Sequence, residues 1–251
     1  MEDGYEYEEF LIAAIFAGTI SVFNLPQSLY AFQFASLIPF VYSGFGQAKD
    51  FEKNSIRYLR AESFRRNMES FSGAKTFQQT LDLSSAVFKD GIKRPFKEFK
   101  EIALGINREY NLVWLKTEQD MAFKVAQSAE RWMKIEDQKE IFPLLQYKTA
   151  HDERVRDSHT QWHNVIKPVS DPFWATWYPP NDWGCRCHVI QLREGKPTQI
   201  IGSTKNDSKV FANNAGISGA IYPKTGHPYF NVPRGFEKQL KLNFNFETPK
   251  I

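Results

Sequence analysis

Residues Thr149–Val189 read TAHDERVRDSHTQWHNVIKPVSDPFWATWYPPNDWGCRCHV, the densest run of specialised side chains in this 251-residue sequence. Pro168, Pro172, Pro179 and Pro180 break any long regular element, so the stretch reads as loops joined by short strands and turns. Phe173, Trp174, Trp177 and Trp183 supply a small core for those loops. Asp152, Arg154, Arg156 and Asp157 offer an ion-pair and hydrogen-bond network, because the planar guanidinium fork satisfies a carboxylate with two bonds. Such a network can fix a loop with few backbone bonds of its own.

Cys185 and Cys187 are the two cysteines of the chain. One residue apart, they share a side of an extended backbone. His159, His163 and His188 are close in sequence. Two thiolates and one or two imidazoles satisfy tetrahedral zinc, which gives His159, Cys185 and Cys187 as ligands and His163 or His188 as the fourth. A zinc ion would hold together a loop-rich domain in a reducing compartment. The spacing leaves a second reading open: two reduced, partly buried thiols beside hydrogen-bonded histidines. A disulfide is disfavoured, since a bridge across one intervening residue meets tight geometric limits. Cysteine with histidine and aspartate is also raw material for nucleophilic catalysis. No catalytic elbow or oxyanion-forming loop accompanies it here, so no catalytic residue is assigned and the chain reads as a non-enzyme.

Outward from this stretch the texture becomes helical. Upstream, residues 108–137 carry Leu115, Ala122, Ala126, Ala129 and Met133 at helical spacing, with acid-before-base pairs Asp120–Lys124 and Glu130–Lys134. Residues 96–104 read as a further helix after Lys93-Arg-Pro95, and 50–72 as an exposed helix ending near Gly73. Its arginines Arg57, Arg60, Arg65 and Arg66 form a basic cluster, read first as a solvated face and second as a contact for an acidic partner or DNA phosphate. From Phe10 to Ala48 there is no charged side chain. Asn24, Pro26, Gln27 and Ser28 break that run: the first piece, Phe10–Phe23, is shorter than the roughly 20 apolar residues a membrane span needs, and the second contains Gln33, Ser36 and Pro39. Helices over 5–23 and 27–45, the second kinked near Pro39, buried against partners rather than in a membrane, are the expectation. Strands are expected at 141–149 and 189–192, irregular loops at 211–236, and a polar tail or partner-binding arm beyond.

The fold class is therefore α+β: long N-terminal helices followed by a small loop-rich domain with short strands. The expected division is a helical region over 1–110, the loop-rich domain over 111–236 and a tail over 237–251. A net charge of +3 is too small to argue nucleic-acid binding by itself. Two cysteines do not make a secreted disulfide framework, and the first residues are acidic rather than the basic start of a signal peptide.

The run Thr149-x-x-Asp152-x-Arg154-Val-Arg156-x-x-His159, followed by Asp171-Pro-Phe-Trp174, Pro179-Pro-Asn181 and Cys185-Arg-Cys187, resembles the phage Mu F-like minor head proteins. Weaker likeness extends through Asn111–Glu140 and through Gly226-His-Pro-Tyr-Phe230. The pattern departs at three places where the family often carries glycine: His151 precedes the first aspartate, Asn164 follows the motif histidine, and Asp182 follows Pro-Pro-Asn. Asparagine tolerates left-handed backbone angles, so the turn at Asn164 can survive. The resemblance implies a minor head protein of a tailed phage or prophage, acting in head assembly and in DNA packaging or ejection. It implies the portal and other head proteins as partners, packaged DNA as a further one, and no membrane. The implied location is the head interior of the virion, and the host cytoplasm during assembly. Too few residues follow the signature for the toxin domain some relatives carry. The alternative class is a phage-delivered toxin enzyme of the nuclease or ADP-ribosyl transferase type.

Overall fold

The computed structural model describes residues 2–200, 204–208, 210–241 and 243–246. The fold is α+β. Five long helices come first: α1 (Glu2–Ala17), α2 (Gln27–Phe45), α3 (Ile56–Ala86), α4 (Phe96–Arg108) and α5 (Trp114–Gln138). A wide π turn, Glu109–Val113, joins α4 to α5. Between α3 and α4 lies a hairpin of β1 (Phe88–Lys89) and β2 (Ile92–Lys93). Its turn residues Asp90 and Gly91 both have positive φ, the backbone an Asp-Gly hairpin turn requires.

Among the described residues no helix is long and apolar enough to cross a membrane. The uncharged stretch is instead spent inside the chain. Leu11, Ile12 and Ile15 of α1 pack with Leu29, Leu83, Val87, Phe99 and Ala103 in one apolar cluster. Phe34, Leu37, Ile38 and Val41 of α2 are buried as well. Burial against the chain's own helices therefore explains the missing charge, where burial against partners was expected; Phe10, Phe23 and Phe32 remain exposed.

The expected stop at Gly73 does not occur: α3 runs through it to Ala86. A helical glycine costs only about 1 kcal/mol, while Phe71, Ala74 and Phe77 around it are fully buried. Lys75 on the same helix is buried and pairs with Glu118 at 2.6 Å. Burial lowers its pKa and the Glu118 charge opposes that shift. The Tyr229 hydroxyl donates to the other Glu118 oxygen at 2.8 Å, so the buried carboxylate is satisfied twice.

Contacts divide the chain into two units that alternate along the sequence, Met1–Leu37 with Met68–Glu118 and Pro228–Ile251, and Ile38–Asn67 with Gln119–His227. The cuts differ from boundaries at 110 and 236 because α2 and α3 each contribute residues to both units. In the first unit, residues expected as a tail pack inward. Phe244 stacks on Phe77 and Phe246 on Tyr30, with ring centroids 4.8 and 4.3 Å apart. The tail expectation is thus modified at Phe244 and Phe246, while α9 before them has no buried residue; 242 and 247–251 lie outside the described residues.

The second unit holds the signature stretch. β3 (Leu144–Lys148) is the centre of a three-stranded antiparallel sheet, with β4 (Ile166–Pro168) on one side and β5 (His188–Leu192) on the other. The register places Leu144 opposite both Pro168 and Leu192, and Lys148 opposite His188. Three short helices fill the connections: α6 (Asp157–Thr160), α7 (Phe173–Trp177) and, after the sheet, α8 (Ala215–Ser218). A final helix, α9 (Glu237–Lys241), belongs to the first unit. Beneath the sheet Leu145 and Tyr147 of β3 join Trp132 and Ile135 of α5 with Trp162, Phe173, Trp174 and Trp177 in one buried cluster.

Two glycines give predictions of opposite sign. A methyl at Gly44 would meet Phe123 O at 2.6 Å and Ala126 Cβ at 2.9 Å, whereas one at Gly105 in α4 meets nothing within 4 Å. Gly44→Ala should destabilise by about 1–3 kcal/mol through overpacking. Gly105→Ala should stabilise by about 0.5–1 kcal/mol by improving helix propensity. Urea midpoints of the two variants should move in opposite directions.

Candidate metal centre

Two loops and one short helix build the site. The loop 150–156 leads from β3 into α6, whose buried His159 faces the turn 182–187 that leads into β5. The charged side chains expected to pair among themselves find other partners. Asp152 pairs with Arg186, the residue between the two cysteines, through bonds of 2.6 and 2.7 Å. This holds the Asp152 carboxyl down to about 2, chiefly through the Arg186 hydrogen bonds. Arg156 reaches Asp182 at 2.9 Å and Trp183 O at 3.0 Å. Asp152 also accepts the Arg154 backbone N–H, while Asp157 occupies the first turn of α6. The loops are therefore tied across the gap between them rather than each within itself.

Local backbone geometry explains the departures from the glycine pattern. His151 and Asn164 have φ of +56° and +68°. These are left-handed conformations, the kind glycine adopts without a Cβ penalty. Asn164 receives Lys148 Nζ on its side-chain oxygen at 2.6 Å and donates its backbone N–H to Tyr147 O at 2.8 Å, so its turn is held.

Among the described residues one group of histidine, cysteine and acidic side chains converges enough to hold a metal ion: His159, Cys185 and Cys187, with ligand atoms within 4.8 Å of one another. Cys185 Sγ lies 3.9 Å and Cys187 Sγ 3.7 Å from the same His159 Nδ1. Both thiols are free of a disulfide. The pair shares charge unevenly: the hydrogen bond from Cys187, then the one from His159, draws the Cys185 thiol down to about 4. The Cys187 thiol is pushed up by its Cys185 neighbour and by burial.

His163 and His188 stand outside the cluster. His163 Nδ1 is taken by Thr149 Oγ1 at 2.8 Å, and its ring stacks on His151. His188 follows Cys187 and is exposed at the start of β5, where alternation turns it from the sulfur side. Sequence reasoning missed Tyr147 and Asn181. The Tyr147 phenol accepts from Asn181 Nδ2 at 3.0 Å and hydrogen-bonds Cys187. Burial, followed by the cysteine charges, raises its pKa. The available signal was the alternation along β3, which puts Tyr147 on the same buried face as Leu145.

Beside the cysteines opens a cleft of about 410 Å³ between the turn and α5, with Lys124, Arg131, Lys134 and Arg186 on its walls. The Arg57–Arg66 cluster is a different matter. Arg57 pairs with Glu130 at 3.5 Å and Asp137 at 2.9 Å, and Arg65 with Glu62 at 3.2 Å.

Residues 73–190, which include the site, match the family model described as Phage Mu protein F like protein. This part of the chain is thus similar to the Mu F-like proteins. The chain is 38% identical over 94 residues to the Mu-like prophage FluMu F protein of Haemophilus influenzae, covering 38% of this chain and 22% of that protein. It is 31% identical over 127 residues to the putative capsid assembly protein F of Escherichia phage Mu, covering 51% of this chain and 28% of that protein. The chain thus aligns with less than a third of the length of either relative. No solved structure matches it.

The Asp152–Arg186 pair is about half exposed, with side-chain accessibilities of 40% and 44%. Asp152→Asn should therefore leave the urea midpoint close to that of the parent. It should nevertheless loosen the 182–187 turn and speed alkylation of Cys187 several-fold in a timed iodoacetamide assay. An unchanged alkylation rate would show that the pair does not hold the turn.

Proposed function

We propose that this chain is a minor head protein of a tailed phage or prophage, working in head assembly. The observation that carries the reading is the Mu F-like match over 73–190, together with a relative named as a putative capsid assembly protein. The signature residues fit a structural role. They form a tied and internally packed module in which Asp152, Arg156, Asp182 and Arg186 bind each other. We accordingly read the chain as structural rather than enzymatic.

The finer part of the proposal is association with the portal and the head interior during packaging or ejection of DNA. Protein contacts come before DNA contacts in this reading, because chain carboxylates already neutralise Arg57 and Arg65. The docking surface in the N-terminal region is narrowed to what burial leaves over, with Phe10 at 60% and Phe23 at 87% exposure as its largest apolar side chains.

The test is incorporation into particles. A tagged chain, expressed from its own prophage after induction, should co-purify with heads in a few copies, and mild disruption should leave it with the portal vertex. Phe10→Ser with Phe23→Ser should cut incorporation several-fold while thermal stability stays near that of the parent. Heads that assemble, fill and infect normally without this chain would overturn the assignment. Particles that contain it away from the portal would overturn only the finer part.

A further inference from the structure

We propose that His159, Cys185 and Cys187 bind one zinc ion, which fastens α6 to the Cys-Arg-Cys turn. The proposal stands on the local geometry and is independent of the head assignment.

Donor chemistry comes first. One imidazole and two thiols form a mixed nitrogen–sulfur set, which favours zinc over hard cations such as magnesium or calcium. Size agrees. With zinc–sulfur bonds of about 2.3 Å and zinc–nitrogen bonds of about 2.0 Å, a tetrahedral site has a sulfur–nitrogen edge of roughly 3.5 Å. The two edges here are 3.9 and 3.7 Å. Both sulfur–nitrogen edges thus lie within a few tenths of an ångström of the tetrahedral value, and all three ligand atoms fall within 4.8 Å of one another. Hydrogen bonding alone accounts for the arrangement less well. Nδ1 of a neutral imidazole has one lone pair, yet both sulfurs approach it at almost equal distance. A single ion engages all three atoms together.

The surroundings supply what a thiolate site needs. Backbone N–H groups of Asn181 and Cys187 point at Cys185 Sγ, and the Tyr147 phenol hydrogen-bonds Cys187 Sγ. Such outer donors orient ligands and stabilise sulfur charge. A zinc ion with two thiolates and a neutral imidazole carries no net charge. That suits a site where His159 and Cys185 are both buried. Any thiol still protonated at binding releases its proton to solvent. The fourth position falls to water. A cavity of about 20 Å³, lined by Ala150, Arg154, Val155 and Gly184, adjoins the three ligands. That volume holds one water molecule.

The mechanical consequence follows from chain connectivity. His159 and Cys185 are 26 residues apart. Joining them closes a loop in a unit whose sheet strands are only three to five residues long. A metal cross-link there limits opening of the turn in a way that surface ion pairs cannot.

The experiment uses the full chain, purified under reducing conditions. Elemental analysis should find one zinc per chain. Titration of the metal-free protein with Co²⁺ should give the intense visible bands of a tetrahedral site and a sulfur-to-cobalt charge-transfer band, both lost on adding Zn²⁺. Removal of zinc with EDTA should lower the melting temperature, and re-addition should restore it. Cys185→Ser, Cys187→Ser and His159→Gln should each weaken Co²⁺ binding at least tenfold. His163→Gln and His188→Gln should leave it unchanged. The cobalt spectrum of the unaltered chain decides the matter even if a cysteine variant fails to fold. A folded chain whose Co²⁺ spectrum lacks a thiolate band overturns the site. Loss of binding in His188→Gln overturns the three-ligand assignment.

Discussion

The indole of Trp174 is fully buried, and its N–H donates to Pro168 O at 2.9 Å. Much of the second unit depends on that placement. The sheet above it has strands of only three to five residues, too little backbone pairing to define a module alone. Aromatic area makes up the difference: Trp162, Phe173 and Trp177 surround Trp174 and reach Tyr147 and Trp132. The backbone of the same residue fixes the chain that follows. Trp174 O accepts Asn214 Nδ2 at 3.2 Å, and Asn214 caps α8 through Gly216 N at 3.0 Å. Gly216 then lies so close to Trp132 that a Cβ would sit 2.6 Å from it. One tryptophan thus sets the position of the loops before it and the short helix after it.

The long helices and the loop-rich module were legible in sequence because each rests on local pattern. Apolar spacing marks α5, and the prolines of 168–180 mark the irregular region. The elements that were not legible depend on burial by distant residues. Gly73 looks like a stop until Phe71, Ala74 and Phe77 are seen to be fully covered. The uncharged run from Phe10 looks like a partner surface until α3 and α4 provide its cover. The polar end after 236 looks free until Phe244 and Phe246 find Phe77 and Tyr30. In each case local composition is outweighed by apolar area supplied from elsewhere in the chain.

The site was legible at the level of residue type and less so at the level of pairing. His159, Cys185 and Cys187 do meet, since the two cysteines share one side of the backbone and the buried face of α6 presents the histidine. The charged residues do not pair with their sequence neighbours. Asp152 takes Arg186 through two bonds and Arg156 takes Asp182, so both partners come from the turn 182–187. The glycine departures were legible in part: the tolerance expected of Asn164 is met at φ +68°, while His151 at φ +56° had no such signal in its side chain.

Alternation then accounts for the division of labour within Cys185-Arg-Cys187. The sulfurs point to one side, toward His159 and Tyr147, and the guanidinium to the other, toward Asp152. Three consecutive residues therefore hold the turn from both faces, one by soft donors and one by a charge-assisted fork. Neither face substitutes for the other. The ion pair is half exposed and weak by itself and reaches the loop 150–156, while the sulfurs meet His159 of α6. Moving either cysteine by one residue would send its sulfur to the face now occupied by Arg186. The spacing of one residue is thus a geometric requirement of a turn that is anchored on two sides.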